Sequence, residues 1–387
     1  MDLAEYRRNA RAWLAANAPT DDEGDGGVPG AREFMAKLYD AGYSGIAWPK
    51  EWGGQGLTQA EERAFAAEAR DYVLPTYVFS IGLGMTGPTI VDRGTDEQRR
   101  RFVRPLLRGE EIWCQLFSEP GAGSDVASLQ TRAERDGDHW VVNGQKVWTS
   151  VAHHADWGLL LARTDVEVPK HKGLTMFAVD MHHPGVTVRP LKDMSGRSTF
   201  NEVYFDNVTI PDEHRIGEVN DGWSVAVTTL LHERLSISAG VGMGGDKDNP
   251  ASVEALRRVV DTGDPLVRDQ LVELHIRSRA LALFNQRLAQ ETRAGMFPGA
   301  RGSAAKLLLA ELTLFQSDLG TRLVGPESVV EGHPLSMALS MAPGMALGGG
   351  TNEIMRNIVG ERVLGLPPEP RVDKNVPFKD LKVGTQA

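Results

Sequence analysis

The stretch Trp140-Val141-Val142-Asn143-Gly144-Gln145-Lys146-Val147-Trp148-Thr149 decides how this chain folds. Strand formers flank an Asn-Gly pair, a strong short-range signal for a β-hairpin. Leu159-Leu160-Leu161-Ala162, Leu174 to Val179, Val186-Thr187-Val188 and Glu202-Val203-Tyr204-Phe205 also read as strands. Working outward, the period changes on both sides. Upstream, Leu3, Tyr6, Ala10 and Leu14 recur at helical spacing, and helices are expected over 31–41, 58–71, 74–93 and 95–108. Gly42 is a candidate C-cap, Asp21 to Gly30 an acidic loop, and the Gly- and Pro-rich run 42–54 is excluded from helix. Thr95 with Gln98 forms a capping-box pattern. Downstream, helical periodicity returns at Asp221 and lasts to about 363, with long helices over 266–293 and 300–322. Gly244 to Pro250 and Asp261 to Pro265 interrupt it.

The order is helical, then β, then helical, so the chain is α+β and an alternating βαβ sheet is excluded. The expected division is an all-α domain over 1–112, a β domain over 113–220, a helical domain over 221–366 and an extended tail over 367–387. The run Gly240-Val241-Gly242-Met243-Gly244-Gly245 resembles a dinucleotide loop. It follows a helix rather than a strand, and so fails the context test for that motif.

Of 387 residues, 41% are hydrophobic and 24% charged, which excludes a wholly disordered protein. The net charge of −10 argues against nucleic acid as a partner. The single cysteine, Cys114, excludes an intramolecular disulfide and fits a reducing compartment. No run approaches the ~20 apolar residues of a membrane span, and the N-terminus lacks an apolar signal core. The expected location is the cytoplasm. His153-His154 and His182-His183 are adjacent pairs without metal-ligand spacing, so no metal is expected.

Glu233 lies where a surface charge does not belong. At helical spacing its stripe is Ala226, Leu230, Glu233, Ile237, otherwise apolar. Burial there would raise a carboxyl above its ordinary value of about 4.3, toward a working general base. The rival reading is a half-exposed Glu paired with a neighbouring helix. Ser118-Glu119-Pro120-Gly121-Ala122-Gly123-Ser124-Asp125 offers small residues and hydroxyls that suit an anion, or else a surface turn. Trp148-Thr149-Ser150 sets an indole beside two hydroxyls, suited to a flat heteroaromatic ring unless the indole fills the sheet core.

Together with Gly45-Ile46-Ala47-Trp48-Pro49-Lys50-Glu51-Trp52-Gly53-Gly54, Gly94-Thr95-Asp96-Glu97-Gln98, Asn143-Gly144-Gln145-Lys146-Val147-Trp148 and Gly349-Gly350-Thr351-Asn352-Glu353-Ile354, these segments resemble the acyl-CoA dehydrogenase family over nearly the whole chain. The resemblance implies an N-terminal helical domain, a central β-barrel-like domain and a C-terminal four-helix bundle. It further implies FAD, an acyl-CoA substrate and transfer of electrons to an electron-transfer flavoprotein. By the same resemblance Leu116, Phe117 and Ser118 meet the flavin edge. Gly123 and Ser124 meet FAD phosphate and the CoA portion of the substrate. Trp148, Thr149 and Ser150 form the flavin-contacting turn, and Thr351 and Glu353 lie on a cofactor-contacting loop. Arg322 and Gly325 fall in the cofactor-supporting segment, and Arg234 falls beside the substrate.

Many members carry the catalytic Glu just before Gly-Thr in the C-terminal loop; here that slot holds Gly349. A minority, of isovaleryl and long-chain type, place it in a Glu-Arg-Leu run, which Glu233-Arg234-Leu235 matches. Glu233 is therefore the expected base, with the Gly349 backbone N–H and a ribityl hydroxyl of FAD expected to polarise the thioester oxygen. Pocket depth is expected to depend on residues near Thr86, Ala226 and Thr229. The family's Arg-x-x-Phe-Gly element is missing from Gly244 to Pro265. Its Gln-x-x-Gly-Gly reads Arg322-Leu323-Val324-Gly325-Pro326, and its Arg-Asp is missing around Met341-Ala342-Pro343. All three bear on a FAD contact across subunits. The Gly-Gly-Gly-x-Asn-Glu run is similar to that of sterol-side-chain members built from two different chains. Three assemblies or activities stay open: a homodimer or homotetramer, the base-bearing chain of a heterotetramer, or an oxidase or monooxygenase of the same fold.

Overall fold

The computed structural model describes residues 2–19, 27–238, 249–294, 296 and 299–382, without the side chains of 235, 237, 238, 292 and 293. Helix α1 (Leu3–Asn17) buries Tyr6, Ala10 and Leu14, as its spacing predicts. Helix α2 (Gly27–Asp40) starts four residues before the expected Ala31, so the loop expected over 21–30 gives way to helix from 27. Its other residues, 21–26, lie outside the described ones. The C-cap forms at Gly42, whose φ of 83° suits only a residue without Cβ. Tyr43 N–H donates to the Leu38 carbonyl and Gly42 N–H to that of Tyr39, each at 2.9 Å. Residues 42–54 are irregular apart from one 3₁₀ turn at Lys50–Trp52. Helix α3 (Gln59–Ala69) follows a capping box at Thr58 and Glu61.

The helix expected over 74–93 is not continuous. A 3₁₀ turn at Tyr77–Phe79 and a wider π turn at Gly82–Thr86 precede α4 (Gly87–Arg93). Three glycines and Pro88, which lacks an N–H, weaken a regular ladder here. Helix α5 (Asp96–Arg108) carries the expected box, with Thr95 N–H donating to Gln98 Oε1 at 2.9 Å and Gln98 N–H to Thr95 Oγ1 at 3.3 Å.

The strands are β1 (Trp113–Leu116), β2 (Arg132–Asp136), β3 (His139–Ser150), β4 (Trp157–Arg163), β5 (Leu174–Asp180), β6 (Val186–Leu191), β7 (Phe200–Pro211) and β8 (Arg215–Ile216). They form one sheet, in the order β6-β7-β3-β2-β4-β5-β8, with β1 against β4. Its ladders are antiparallel except where β4 meets β1 and β2.

The hairpin expected at Asn143-Gly144 is absent, because β3 runs through it. The turn is at Gly137-Asp138, between the paired residues Asp136 and His139. Asn143 instead serves a bulge on β7. Its Oδ1 accepts from the Asn207 N–H at 2.9 Å, where Asn207 is left-handed with φ 50°. Gly144 lets two strands approach, since a Cβ there would lie 2.7 Å from Thr131 Cα.

Helix α6 (Gly222–Ser238) restarts helical structure where predicted. It is followed by α7 (Val253–Leu256), α8 (Pro265–Arg293), α9 (Arg301–Val324), α10 (Pro334–Leu347) and α11 (Asn352–Arg362). Two compact units result. One contains 1–193, 198–232 and 371–387; the other contains 194–197 and 233–370. In the second, α9 packs against α8, α10 and α11. Ala251, Leu256, Leu271, Leu274, Leu319 and Leu335 make its buried centre. The Gly240–Gly245 run lies outside the described residues.

Residues 371–382 of the tail return to the first unit. Phe378 N–H donates to the Val168 carbonyl at 2.9 Å and Lys379 N–H to that of Val166 at 3.1 Å. The Phe378 ring packs under the Arg163 guanidinium at 3.7 Å. Lys170 bridges Asp373 at 2.5 Å and Asp125 at 2.7 Å.

Candidate active site

Strand β1 delivers the chain into the loop 117–131, and that loop is anchored from beneath. Glu119 is buried, and its carboxylate accepts from the Gln130 N–H at 2.7 Å, the Thr131 N–H at 2.9 Å and Lys146 Nζ at 2.8 Å. Lys146, 0% exposed on β3, also donates to the Phe117 carbonyl at 3.0 Å. Burial by itself would raise the Glu119 carboxyl. The charge and hydrogen bond of Lys146, with the two amides, outweigh burial and hold it below its ordinary range. Burial pushes the Lys146 ammonium down against the opposing pull of Glu119. Above this anchor Gly123, Ser124 and Asp125 are exposed, and a Cβ on Gly123 would meet nothing within 4 Å. Leu116 and Phe117 bury their side chains in the core, so a ligand at this edge meets backbone there. Ser118 is half-buried and its carbonyl accepts from the Val147 N–H at 2.9 Å.

At the far end of β3 the ladder with β7 slips by one residue between Lys146 and Thr149. The bulge puts Trp148 in the left-handed region at φ 59° and turns its indole outward, 57% exposed. The sheet-core alternative for this indole is thereby removed. Thr149 is buried, and its Oγ1 is among the described buried atoms that lack a hydrogen-bond partner. Ser150 is half-buried, and Val151 after it is also left-handed at φ 53°. An exposed aromatic plane beside an unsatisfied hydroxyl fits an isoalloxazine ring with polar edges.

On α6, Ala226 and Thr229 are fully buried, and Leu230 packs against the core of the first unit. Thr229 Oγ1 accepts from Thr89 Oγ1 at 3.0 Å, and nearby Thr86 is fully buried with Oγ1 unpartnered. Glu233 is half-buried, and the side chain of Ile237 lies outside the described residues. Arg234 is half-buried, and desolvation lowers its guanidinium from its ordinary value while Glu233 opposes that shift.

The C-terminal loop turns through two left-handed glycines, Gly349 at φ 67° and Gly350 at φ 90°. A Cβ on Gly350 would lie 2.5 Å from Met355 Cε. Thr351 is the N-cap of α11, its Oγ1 accepting from the Ile354 N–H at 3.1 Å. Glu353 is exposed and 3.5 Å from Arg356, at the positive end of that helix. Arg322 pairs with Asp318 at 3.0 Å one turn back on α9, and Gly325 ends α9 at φ 97°.

Glu233, Arg234, Arg322, Gly325, Gly349, Thr351 and Glu353 therefore belong to the second unit. Leu116 to Ser118, Gly123, Ser124 and Trp148 to Ser150 belong to the first. Sequence reasoning missed two buried lysines. Lys146 lies within a motif that does not itself reveal the hold on Glu119, and Lys306 lies in none of the motifs. The signal for Lys306 is its spacing: it falls in line with the small residues Ser303, Ala310 and Ser317, all of them buried.

Among the described residues no helix is long and apolar enough to cross a membrane, and no group of His, Cys, Asp and Glu could hold a metal ion. Three family models match in succession: acyl-CoA dehydrogenase N-terminal domain over 2–110, middle domain over 114–208 and C-terminal domain over 220–364. Acyl-CoA dehydrogenase FadE34 of Mycobacterium tuberculosis is 42% identical over 85% of this chain, which spans 45% of FadE34's length. Acyl-CoA dehydrogenase IpdE1 of the same organism is 37% identical over 96% of this chain and 99% of its own. The solved Tcur3481-Tcur3483 steroid ACAD is 31% identical, with a TM-score of 0.81, over 95% of this chain and 100% of that one. The chain belongs to the acyl-CoA dehydrogenase family, the FAD-dependent oxidoreductases that act on acyl-CoA.

Proposed function

We propose that this chain is the base-bearing subunit of an acyl-CoA dehydrogenase for bulky, steroid-derived or branched acyl thioesters, with Glu233 as the base. The observation that carries this reading is the pairing of Gly349 with Glu233. At φ 67° position 349 disfavours any residue with a Cβ, by roughly 1–2 kcal/mol. A carboxylate is therefore poorly accommodated in the loop, whereas α6 presents one at its boundary with the second unit.

Glu233 takes the α-proton of the thioester. The Gly349 backbone N–H donates to the thioester oxygen, where negative charge develops, and a backbone donor survives the loss of any side chain there. Bound FAD supplies the acceptor for the β-hydrogen and its electron pair. Trp148, Thr149 and Ser150 would hold its ring, while Leu116, Phe117 and Ser118 would offer backbone at its edge. Gly123 and Ser124 would bind its phosphate and the CoA portion, and Thr351, Glu353, Arg322 and Gly325 are assigned to the cofactor by the family resemblance. Arg234 meets the substrate. Electrons pass to an electron-transfer flavoprotein. The proposed division is 1–112, 113–220, 221–366 and the tail 367–387, and the proposed location is the cytoplasm.

A heterotetramer with a second chain of the same family is the proposed assembly. It is supported by the missing Arg-x-x-Phe-Gly element and by likeness to a steroid ACAD named for two chains.

The test is Glu233→Gln, which keeps shape and removes the basic oxygen. Turnover of the purified holoenzyme with a panel of straight, branched and steroid-derived acyl-CoAs should fall about 100- to 10,000-fold, with FAD content unchanged. Near-normal turnover on the same panel refutes the base.

A further inference from the structure

We propose that Lys306 is a positioning residue for the reaction: from inside the second unit it clamps the Gly349-Gly350 turn and sets a fixed positive charge toward Glu233. The proposal rests on the assignment of Glu233 and Gly349 above. Lys306 is 0% exposed in the middle of the buried stripe of α9. Its Nζ donates to the Gly350 carbonyl at 2.6 Å. Such a short bond from a cation is among the stronger hydrogen bonds a protein makes. It holds the end of a turn whose two glycines, Gly349 and Gly350, are both left-handed, with many alternatives open to it once released. The carbonyl that Lys306 grips belongs to the Gly350–Thr351 peptide, two peptide units beyond the one that carries the proposed thioester-binding Gly349 N–H. Changes in φ and ψ at the two intervening glycines would misdirect that amide.

The charge has a second consequence. Burial lowers the ammonium from its ordinary value, while Glu233 and Glu353 favour its charged form. The charged groups gathered here are Glu233 and Arg234 on α6, Lys306 on α9, and Glu353 and Arg362 on α11. Lys306 is the one whose side chain is fully enclosed, so its effect on Glu233 is the least weakened by solvent. The coupling is attractive in both directions, so the Lys306 ammonium favours the ionised form of Glu233. Removing it moves the acid limb of kcat/KM to higher pH.

The experiment compares wild type with Lys306→Met, which keeps length and removes donor and charge, and with Lys306→Arg, which keeps both. In wild-type holoenzyme, hydrogen exchange of a peptide covering 348–352 should be slow, as for a held loop. Lys306→Met should speed it selectively, lower kcat by up to ~100-fold, the cost of displacing a reacting group by about 1 Å, and move the acid limb upward. FAD content should stay at the wild-type level. Lys306→Arg should recover part of both the protection and the limb. The proposal is overturned if the wild-type peptide exchanges freely, a measurement that needs no variant to fold. It is also overturned if Lys306→Met leaves loop exchange and acid limb unchanged. Active Glu233→Gln would sink the base assignment instead, and would leave the loop-exchange result standing.

Discussion

Lys146 and Glu119 face each other at 2.8 Å, the lysine fully enclosed and the carboxylate nearly so, and through them β3 carries the loop that starts after β1. The pair adds a buried polar anchor to a loop that Phe117, Ala122, Ala127 and Leu129 pin to the core. Three of the carboxylate's partners are a lysine and two backbone amides, so nearly all of its hydrogen-bonding capacity is spent on shape.

Removing one member of this pair should be costly. Lys146→Met leaves a buried carboxylate uncompensated, and destabilisation of about 3–5 kcal/mol is expected. The double variant with Glu119→Gln should lose less than the sum of the single losses, because the isolated charge goes with it. Urea unfolding of the four proteins checks this; strict additivity would mean that the two groups act independently.

Trp148 should behave in the opposite way. Its side chain is exposed and its backbone is left-handed, so the fold gains little from it. Trp148→Gly should leave the melting temperature of the apoprotein equal or higher, since a Cβ at φ 59° costs of order 1 kcal/mol or more. The same variant should lose FAD during gel filtration, read as the flavin-to-protein absorbance ratio. Retention of the full flavin complement would remove the indole from the cofactor site.

Acid stability should carry the mark of Asp212. Its carboxylate is held by Arg215 at 2.9 and 3.1 Å and by Trp140 Nε1 at 2.7 Å, and is lowered from 3.8 to about 2, chiefly by the Arg215 hydrogen bond. A carboxyl with a depressed folded-state value stabilises above its unfolded value and ceases to do so as pH falls through the folded one. Asp212→Asn should therefore be less stable than wild type above about pH 4, and the gap should close between 3.8 and about 2. Thermal melts across pH 2–6 check the sign; a gap that widens toward acid would contradict it.

The helical flanks were legible because their signals are local and redundant. Thr95 with Gln98 states where α5 begins, and Gly42 states where α2 has ended, each by one hydrogen-bond pattern that few other residues can make. Asn143-Gly144 was misread because the same two residues suit a turn by their backbone freedom and a bulge by other properties. Asn143 was needed for its side-chain amide and Gly144 for its missing Cβ, and both needs come from strands far along the chain. The 74–93 stretch failed for the opposite reason: its apolar period is real, but three glycines and two prolines prevent one uniform ladder.

Of the candidate site, Glu233 stood out because its stripe is apolar and its motif was recognisable. Lys306 belongs to the same kind of stripe. Its role depends on meeting the Gly350 carbonyl, 44 residues away, a contact that periodicity alone cannot encode. Leu116 and Phe117 show the converse: the motif assigns them to the flavin edge, yet their side chains belong to the core and only their backbone is left for a ligand.

The return of residues 371–382 to the first unit has a temporal consequence. Phe378 lies under Arg163, and the backbone N–H groups of Phe378 and Lys379 donate to Val168 and Val166, so a segment that follows the helices of the other unit in sequence supplies a contact of the β unit. Arg163 is thus left without its aromatic cover until residue 378 has been made. That part of the β unit forms only after α8 to α11 of the other unit have been synthesised.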